Sequence, residues 1–393
     1  MRVETDILII GGGVAGLAAT AAFAASGRRA ICVDRAPVAA GMNDTRTTAF
    51  LKPAVAVLED AGVWPLLSGE TAALDVMRLI DAGGRENAAR EIADFAADEI
   101  GEPPFGWNVP NAAMRQALNK RIEQLETAEQ RAETAIEDLI VRRDHALARL
   151  SDGSTIKAQL VVGADGRNST IRDMAGISAR RWDYGQKALV FTVAMEEPHF
   201  GVSTEIHRTG GPFTLVPMPD GEDGPRCSVV WMERAGEAER LAALPVPEFE
   251  EALNERALGV HGRLKLASGR AAWPIISLIA ERLTAPRIAL IAESAHVVPP
   301  IGAQGLNMSL GDIETLMKAV AAGGGDPGAA TALSAYQRRW PELAARVSGV
   351  DALNRAALTK AQPLRDLRRV GLTALTQMRP AKALAMRLGM GAR

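Results

Sequence analysis

The chain has 393 residues, more than one compact hydrophobic core usually holds, so its length predicts two lobes. Its composition, with 47% hydrophobic and 23% charged residues, is that of an ordinary soluble protein. A formal net charge of -2 at pH 7 argues against a dedicated nucleic-acid binder, which needs a basic surface.

The cysteines and histidines give no sign of a disulfide framework or a metal site. Cys32 and Cys227 both lie in apolar segments, which favours a reducing, cytoplasmic setting. The five histidines show no metal-ligand spacing, so no metal is expected.

The chain begins with a dinucleotide-binding pattern. A predicted strand, residues 6–10, leads into the sequence GGGVAG and then into an alanine-rich predicted helix. In this pattern Gly11 makes a tight turn, Gly13 lets the backbone approach a pyrophosphate, and Gly16 lets the helix pack against the strand.

An acidic residue stands where such a site needs one. A second predicted strand, residues 29–33, ends at Asp34, about twenty residues beyond the glycines, where a carboxylate binds the adenosine ribose. A purely structural turn is the alternative, but the flanking strand, helix and acid favour a dinucleotide site. Residues 7–27 are free of charge over the length of a membrane span. Because glycines interrupt them and acidic residues precede them, we expect a buried strand and helix instead.

Two arginines are open to more than one interpretation. Arg46 follows Asp44 in a threonine-rich stretch and, from its spacing alone, is a solvated charge at a helix start. Arg115 lies beside the apolar face of a helix predicted within residues 107–125, where it either reaches water or meets a phosphate. The acidic segment 86–102 between them predicts a solvent-facing loop.

The central part of the chain predicts β-structure. Three strands are predicted between residues 136 and 162, and the sequence GADGRNST follows the last of them. There Asp165 and Gly166 stand at the carboxyl end of a strand, where open α/β sheets bind ligands. Strands also dominate residues 186–232, with a hairpin predicted at 220–224. No second nucleotide motif occurs in this lobe, so no separate fold for a nicotinamide cofactor is expected.

Residues 287–312 predict a strand, a loop with two prolines, and a helix. The strand, residues 288–292, is followed directly by Glu293, while Gly302 and Gly305 remove side chains where a planar ligand approaches the backbone. The helix is predicted to begin at Leu306, and the free N–H groups of its first turn favour negative charge. Alone, the pattern fits a buried strand, turn and helix of another α/β protein equally well.

The C-terminal residues 356–393 contain eight Lys or Arg and one acidic residue. One side of a helix whose other side is basic can be formed by Leu364, Leu367, Gly371, Leu375 and Met378. Such a helix suits an anionic membrane surface or a partner protein. The alternative is a helix packed on the nucleotide-binding lobe with a solvated basic side.

Three separated motifs, GGGVAG, GADGRNSTIR and AESAHVVPPIGAQGLN, resemble those of the FAD-dependent aromatic hydroxylases, the class A flavoprotein monooxygenases related to p-hydroxybenzoate hydroxylase. The sequence DTRTTAFL and the tail are similar to those of the ubiquinone-biosynthesis hydroxylases within that class. The resemblance implies an α/β fold in which a Rossmann-like FAD-binding domain is interleaved with a β-sheet substrate domain and followed by a C-terminal helical segment. It places FAD-domain parts at 1–75, 101–178 and 275–350, substrate-domain parts at 76–100 and 179–274, and the tail at 351–393.

The resemblance also implies which positions contact the cofactor. Asp165 and Gly166 match an Asp-Gly motif that serves both FAD and the nicotinamide cofactor. The family has a Gly-Asp pair where this chain has Ala292 and Glu293, which add a methyl group and a longer arm but keep acceptor oxygens for a ribityl hydroxyl. His296 is a candidate base, but it matches a family histidine without an agreed catalytic role and is expected to be structural, so no catalytic residue is assigned. The implied cofactor-contacting set is Gly11, Gly13, Val14, Ala15, Gly16, Asp34, Arg35, Arg46, Arg115, Asp165, Gly166, Glu293, Pro300, Gly302, Gly305, Leu306 and Asn307.

The chemistry implied by the resemblance needs FAD, NAD(P)H as a transient electron donor, and O2 as co-substrate. The expected reaction is hydroxylation of the ring of a polyprenylphenol in ubiquinone biosynthesis through a flavin C4a-hydroperoxide, with the protein positioning the ring and excluding water. A lipophilic substrate implies a cytoplasmic protein attached peripherally to the inner face of the membrane, or held in a biosynthetic complex, through its basic tail. The alternatives are hydroxylation of a soluble phenol, reduction of a prenyl chain, and a non-catalytic flavoprotein subunit.

Overall fold

The computed structural model describes residues 2–84, 86–101, 103–208, 210–222, 224–359 and 361–389. Within these ranges the strands are numbered β1 to β20 and the α-helices α1 to α11 in chain order. The strands form one sheet of eight, one of nine and one of three.

The eight-stranded sheet has a parallel core. Its strands are β1 Arg2–Ile10, β2 Ala30–Val33, β8 Ala128–Arg131, β9 Ile136–Val141, β10 Ala146–Leu150, β11 Thr155–Gly163, β18 Thr284–Ala285 and β19 Ile288–Leu290. Strand β1 pairs in parallel with β2 and β11, and β11 pairs in parallel with β19. Helix α1, Val14–Ala25, follows β1, and its many alanines are buried, so the charge-free start of the chain forms a buried strand and helix as predicted. The carboxyl ends of β1, β11 and β19 therefore meet at one edge of the sheet.

The nine-stranded sheet is mostly antiparallel. Its strands are β5 Val76–Asp81, β6 Glu91–Ala96, β12 Ala179–Met195, β13 Val202–His207, β14 Pro212–Gly221, β15 Gly224–Arg234, β16 Leu264–Leu266, β17 Ala271–Ala280 and β20 His296–Val297. Gly221 pairs with Gly224, which confirms the predicted hairpin between β14 and β15. One face of this sheet packs a second hydrophobic core, in which Phe191 contacts Phe249 and Phe213 contacts Trp231. The short third sheet consists of β3 Thr47–Leu51, β4 Ala72–Leu74 and β7 Gly106–Pro110.

Helices cover both large sheets. Besides α1 they are α2 Lys52–Asp60, α3 Asn111–Glu123, α4 Thr170–Met174, α5 Ala235–Ala243, α6 Val246–Ala257, α7 Gln304–Ala322, α8 Ala330–Gln337, α9 Trp340–Leu358, α10 Gln362–Gln377 and α11 Arg379–Gly389. The chain therefore has the predicted fold class, with a mixed α/β architecture and a C-terminal helical segment. The domain boundaries stay a prediction.

Three local predictions around the motifs are wrong. The strand expected to reach residue 292 ends at Leu290, because the chain turns at Ala292, whose φ is +55°. Helix α7 begins at Gln304, two residues before Leu306, because the left-handed turn at Gly302 ends there. Arg46 precedes strand β3 and not a helix.

The acidic segment 86–102 is also not simply a loop. It contains β6, whose Ala93 and Phe95 are buried in the alternating pattern of a half-buried strand. Hydrogen bonds from the neighbouring β5 complete the backbone of this strand, and such a partner is not visible in the local composition.

The packing of helix α10 contradicts the predicted alternative of a helix on the nucleotide-binding lobe, while contact of the tail with a membrane or a partner stays a prediction. Helix α10 packs beside β6 and not on the nucleotide-binding lobe, and its Arg368 points inward to Asp81. Leu364 and Leu367 are instead exposed. The acidic strand ends of the nine-stranded sheet attract the basic side of the helix, which the sequence alone does not show. In the described ranges no helix has both the length and the apolar character needed to cross a bilayer.

Candidate active site

The turn between β1 and α1 depends on glycines at two positions. Gly11 has φ of +111°, and a Cβ there would lie 2.6 Å from the carbonyl carbon of Ala164. A Cβ at Gly16 would overlap the carbonyl oxygen of Gly11. A Cβ at Gly13 would meet nothing within 4 Å, so the space in front of the helix start is open. The first N–H groups of α1 have no intrahelical acceptors and face an accessible position.

Asp34 closes this turn from the end of β2. Its carboxylate accepts hydrogen bonds from the N–H of Gly12 and, at 2.7 Å, from the N–H of Ala36. The neighbouring Arg35 is exposed. The acid that the sequence placed next to the glycines therefore lies in direct contact with them.

Arg115 brings an unpaired positive group to the same region. It lies on α3 beside Gly41, and its buried Nε has no hydrogen-bond partner among the described residues. Burial raises the pKa of the Cys32 thiol to about 12, and the charge of Arg115 is among the smaller influences that lower it. Cys32 Sγ is 3.7 Å from the carbonyl oxygen of Gly11, so Arg115 lies near the glycine turn. A buried donor without a partner is costly unless an anion binds it.

Arg46 is held at the boundary between the short sheet and the nine-stranded sheet. Its guanidinium makes a two-point ion pair with Asp44, at 2.8 and 2.7 Å, and lies 4.5 Å over the ring of Trp273. Burial raises the pKa of Asp44, but hydrogen bonds from Arg46 outweigh burial and the net pKa is lowered. Asn111 also donates to Asp44, at 3.2 Å. Sequence reasoning missed Trp273, because nothing in its strand indicates that an arginine some 230 positions earlier in the chain will cover it.

The Asp165-Gly166 loop is fixed by the helix that follows it. The Asp165 carboxylate accepts from Ser169 Oγ at 2.5 Å and from the N–H of Ile171 at 3.1 Å. Ser169 in turn caps α4 by accepting from the N–H of Arg172 at 2.9 Å. Gly166, with φ of +86°, provides the turn between the acid and the helix.

Two arginines missed by the sequence analysis join this loop to the end of β19. Buried Arg172 donates to the carbonyl oxygens of Ser294, at 3.1 Å, and Arg167, also at 3.1 Å. The Arg167 side chain makes an ion pair with Glu293 at 3.1 Å. Both arginines belong to the GADGRNSTIR motif, so that motif could have pointed to them. Their hydrogen bonds and ion pair bring the second and third motifs together.

The corner at Ala292 and Glu293 rests on a buried carboxylate. Asp312 Oδ2 accepts from the N–H of Ala292 at 3.0 Å and from His296 Nε2 at 2.6 Å, while Oδ1 accepts from Arg339 Nε at 2.7 Å. Burial raises the pKa of Asp312, but His296 and Arg339 outweigh burial and the net pKa is lowered. His296 is 2% exposed and lies inside this network.

The proline-glycine loop leads into the N-terminus of α7. Pro300 is exposed, and Gly305 has open space where a Cβ would stand. The side chain of Asn307 is fully occupied, because Oδ1 accepts from the N–H of Leu51 at 2.8 Å and Nδ2 donates to the carbonyl oxygen of Ala49 at 2.7 Å. Asn307 therefore fixes the loop against β3, while Leu306 packs beside the core.

The chain matches the FAD binding domain family over residues 4–349. It belongs to this family. A ubiquinone hydroxylase, UbiL of Rhodospirillum rubrum, is 36% identical over 98% of this chain and 89% of its own length. The 3-demethoxyubiquinol 3-hydroxylase of Escherichia coli is 28% identical over 98% of both chains. The sequence-based resemblance to the ubiquinone-biosynthesis hydroxylases is thereby confirmed.

Solved structures share the fold. The FAD-dependent monooxygenase PqsL of Pseudomonas aeruginosa superposes with a TM-score of 0.76 at 23% identity, covering 94% of this chain and 100% of that one. The p-nitrophenol 4-monooxygenase PnpA of Pseudomonas putida superposes with a TM-score of 0.80 at 15% identity, covering 100% of this chain and 99% of that one. The chain is an FAD-dependent monooxygenase by family, and FAD is its cofactor.

The residues present fit FAD. The open approach at Gly13 suits a pyrophosphate, the unpaired Nε of Arg115 suits an anion, and the carboxylate of Asp34 suits a ribose hydroxyl. These three features lie in one region, where the first motif and α3 meet.

Proposed function

We propose that this protein hydroxylates the aromatic ring of a polyprenylphenol intermediate of ubiquinone biosynthesis, using FAD, O2 and NAD(P)H. The observation that carries the proposal is the meeting of three separated motif loops at the carboxyl ends of β1, β11 and β19. The near full-length similarity to ubiquinone hydroxylases supports the substrate class. When bound and reduced, FAD supplies the activation of O2 and the transfer of one oxygen atom to an electron-rich ring.

We assign the pyrophosphate of FAD to the helix start after the glycine turn. The N–H groups of Val14, Ala15 and Gly16 point to a site of positive electrostatic potential, because they lie at the N-terminus of α1. Arg115 donates its unpaired Nε to the same phosphates, and Gly11 and Gly13 keep the approach free. Asp34 binds the adenosine ribose, and Arg35 lies beside it at the surface.

The isoalloxazine end of FAD is assigned to the second and third motifs. Glu293, held by Arg167, accepts from the ribityl chain, and Asp165 with Gly166 forms the adjoining wall. Arg46 contributes a positive charge near Glu293, whose negative charge is among the influences that raise the pKa of Arg46. The backbone from Pro300 to Asn307 would hold the ring.

Helix α7 supplies the main electrostatic contribution of the protein at this ring. It has 19 residues, and no side chain caps its N-terminus. Its free N–H groups would therefore stabilise negative charge on a flavin bound there. The loop before it, fixed by Asn307, holds the ring in place and excludes water from the reacting centre.

The Asp165-Gly166 loop is where NAD(P)H would dock transiently as electron donor. A bound nicotinamide domain is not needed for this step, and the sequence contains no second glycine-rich nucleotide motif. Because the substrate is a lipid, we further propose that the protein works at the cytoplasmic face of the membrane as a peripheral protein.

Deletion of the gene followed by mass spectrometry of extracted lipids tests the substrate class. We expect a polyprenylphenol lacking one or more ring oxygens to accumulate, and ubiquinone to fall. The number of missing oxygens would give the number of ring positions that the enzyme hydroxylates. Normal ubiquinone content would overturn the substrate assignment and make soluble phenols the leading substrates.

A further inference from the structure

The two C-terminal helices carry large apolar side chains on their outer side. Between 54% and 65% of each of these side chains is exposed, and none of residues 361–389 is buried. We define the outer face by six of them: Leu364, Leu367, Val370, Met378, Leu384 and Leu388. Six exposed large apolar side chains on two contacting helices are the kind of surface that marks an interaction site.

Polar side chains on the inner side of α10 are bonded to the nine-stranded sheet. Arg368 Nη2 donates to Asp81 Oδ1 at 2.7 Å, and Arg90 joins Asp81, at 2.6 Å, to Asp366, at 2.5 Å. Asp81 is 2% exposed, so it lies beneath the helix as the centre of this cluster. The polar bonds fix which side of α10 faces the protein, and the apolar side is therefore turned outward.

Helix α11 is held in the same orientation and ends at the proposed flavin loop. Lys382 Nζ donates to Glu99 at 2.6 Å and lies 5.4 Å over the ring of Phe95. At its end, the carbonyl oxygen of Gly389 accepts from Gln304 Nε2 at 3.0 Å. Gln304 is the first residue of α7. The two helices therefore span from the edge of the nine-stranded sheet to the loop that precedes α7.

The net charge around the outer face is positive. Arg369, Arg379 and Arg387 are exposed. Within residues 361–389 the one carboxylate, Asp366, is bonded to Arg90 and Gln362. The two partly exposed carboxylates nearby are paired with other cations, Asp366 with Arg90 and Glu99 with Lys382. The three exposed arginines therefore leave net positive charge beside the leucines. This combination matches a bilayer surface with anionic headgroups, where apolar side chains enter the lipid and arginines meet phosphate.

We propose that the outer face docks onto a bilayer that contains anionic lipid, and that docking brings the loop at Gln304 to lipid-dissolved substrate. The second part rests on the proposed function, whereas the docking itself does not. Of the six basic residues within 361–389, half bond within the protein, namely Arg365, Arg368 and Lys382. The apolar row provides the insertion, and only the three outer arginines provide the attraction to headgroups.

Flotation of the FAD-loaded, full-length protein with lipid vesicles tests the docking face. We expect binding to phosphatidylcholine vesicles that contain phosphatidylglycerol, and weaker binding at higher salt. The double variant Leu367→Glu/Leu388→Glu should lower the partition coefficient by roughly tenfold or more, because two carboxylates replace inserted leucines. Arg369→Glu/Arg387→Glu should remove the preference for phosphatidylglycerol.

Phe200→Glu is the matched control, because Phe200 is 79% exposed on the turn between β12 and β13, outside the outer face. It should float like the wild type. Unchanged flotation of the double leucine variant, equal loss in the Phe200 variant, or no vesicle binding by the wild type would each overturn the proposal.

These experiments can distinguish a failure of the docking face from a failure of the proposed function. All these variants should retain FAD and oxidise NAD(P)H with a water-soluble phenol at the wild-type rate, which also shows that they are folded. If ubiquinone content stays normal after gene deletion while the flotation results hold, the docking face stands and the substrate assignment fails. If ubiquinone falls but the leucine variant floats normally, the substrate assignment stands and the docking face fails.

Discussion

Two turns at the same edge of the eight-stranded sheet both need a residue with positive φ, but they are stabilised in different ways. Gly11 follows β1 with φ of +111°, and Ala292 follows β19 with φ of +55°. Glycine adopts such a conformation without a steric penalty, whereas an alanine in the left-handed region costs about 1 kcal/mol. The first turn is therefore specified locally, and the second needs help from elsewhere in the fold.

That help comes from Asp312. Its carboxylate accepts from the N–H of Ala292 at 3.0 Å and is itself fixed by His296 and Arg339. Asp312 is fully buried, so its charge depends on these partners. A turn made by glycine tolerates changes around it, but a turn made by alanine depends on the carboxylate beneath it.

Removing the charge of Asp312 should destabilise the second turn, and this is the largest of the expected effects. Asp312→Asn leaves the guanidinium of Arg339, 4% exposed, without its main buried counter-charge, at a cost of about 3 to 5 kcal/mol in the free energy of unfolding. Urea unfolding measures this loss. Glu314→Gln is the control on the same helix, because Glu314 pairs with exposed Lys318, and it should change stability by less than about 0.5 kcal/mol. Equal effects of the two variants would contradict the role of Asp312.

Adding a side chain in the first turn should destabilise it by steric overlap where there is no space, and should block FAD where the space is open. Gly16→Ala places a methyl group on the carbonyl oxygen of Gly11 and should cost about 3 kcal/mol, with loss of bound FAD. Gly13→Asp should leave the apoprotein as stable as the wild type, because the position is open and its φ is -71°, but should abolish FAD retention by opposing the pyrophosphate. Thermal unfolding and flavin absorbance per protein measure the two effects. A Gly13→Asp protein that keeps its full flavin content would refute the pyrophosphate site.

The stabilisation from Asp312 should depend on pH. Its pKa is lowered below 3.8 in the folded protein, because His296 and Arg339 outweigh burial. The folded state then binds fewer protons than the unfolded state, so this contribution is present above pH 3.8 and is lost as pH falls through the folded pKa. The stability gap between wild type and Asp312→Asn should therefore be complete near about pH 7 and shrink below about pH 4. A gap that stays constant in acid, measured by urea unfolding, would show that Asp312 acts without its charge.

Giving the second turn a glycine should make it resemble the first. Ala292→Gly relieves the strain of the left-handed backbone in the folded state, but it also makes the unfolded chain more flexible. The net effect should stabilise the protein by about 0.5 to 1 kcal/mol. Ala295→Gly is the neighbouring control, because Ala295 has φ of -98° and is fully buried, so it should destabilise by a similar amount. Thermal unfolding of both variants measures the difference in sign. Destabilisation by Ala292→Gly would show that the methyl group contributes more by packing than it costs by strain.

The motifs of the site were predictable because each is local. The glycine turn and Asp34 need only a strand, a turn and a short spacing along the chain, and the structure brings them into hydrogen-bond contact. The residues that hold the motifs together were not predictable in the same way. Arg172 and Asp312 act across 122 and 20 positions of the chain, to Ser294 and Ala292, and look like ordinary helix residues in the sequence.

The sequence by itself determined the fold class, the order of the motifs and the family, because strand and helix periodicity and glycine spacing act over a few residues. Tertiary structure alone decided how the pieces face each other. It placed Trp273 against Arg46, formed β6 from an acidic segment by pairing it with β5, and turned the basic side of α10 toward Asp81. Each of these outcomes depends on a partner distant in the chain, and hydrophobic patterning within one segment carries no information about that partner.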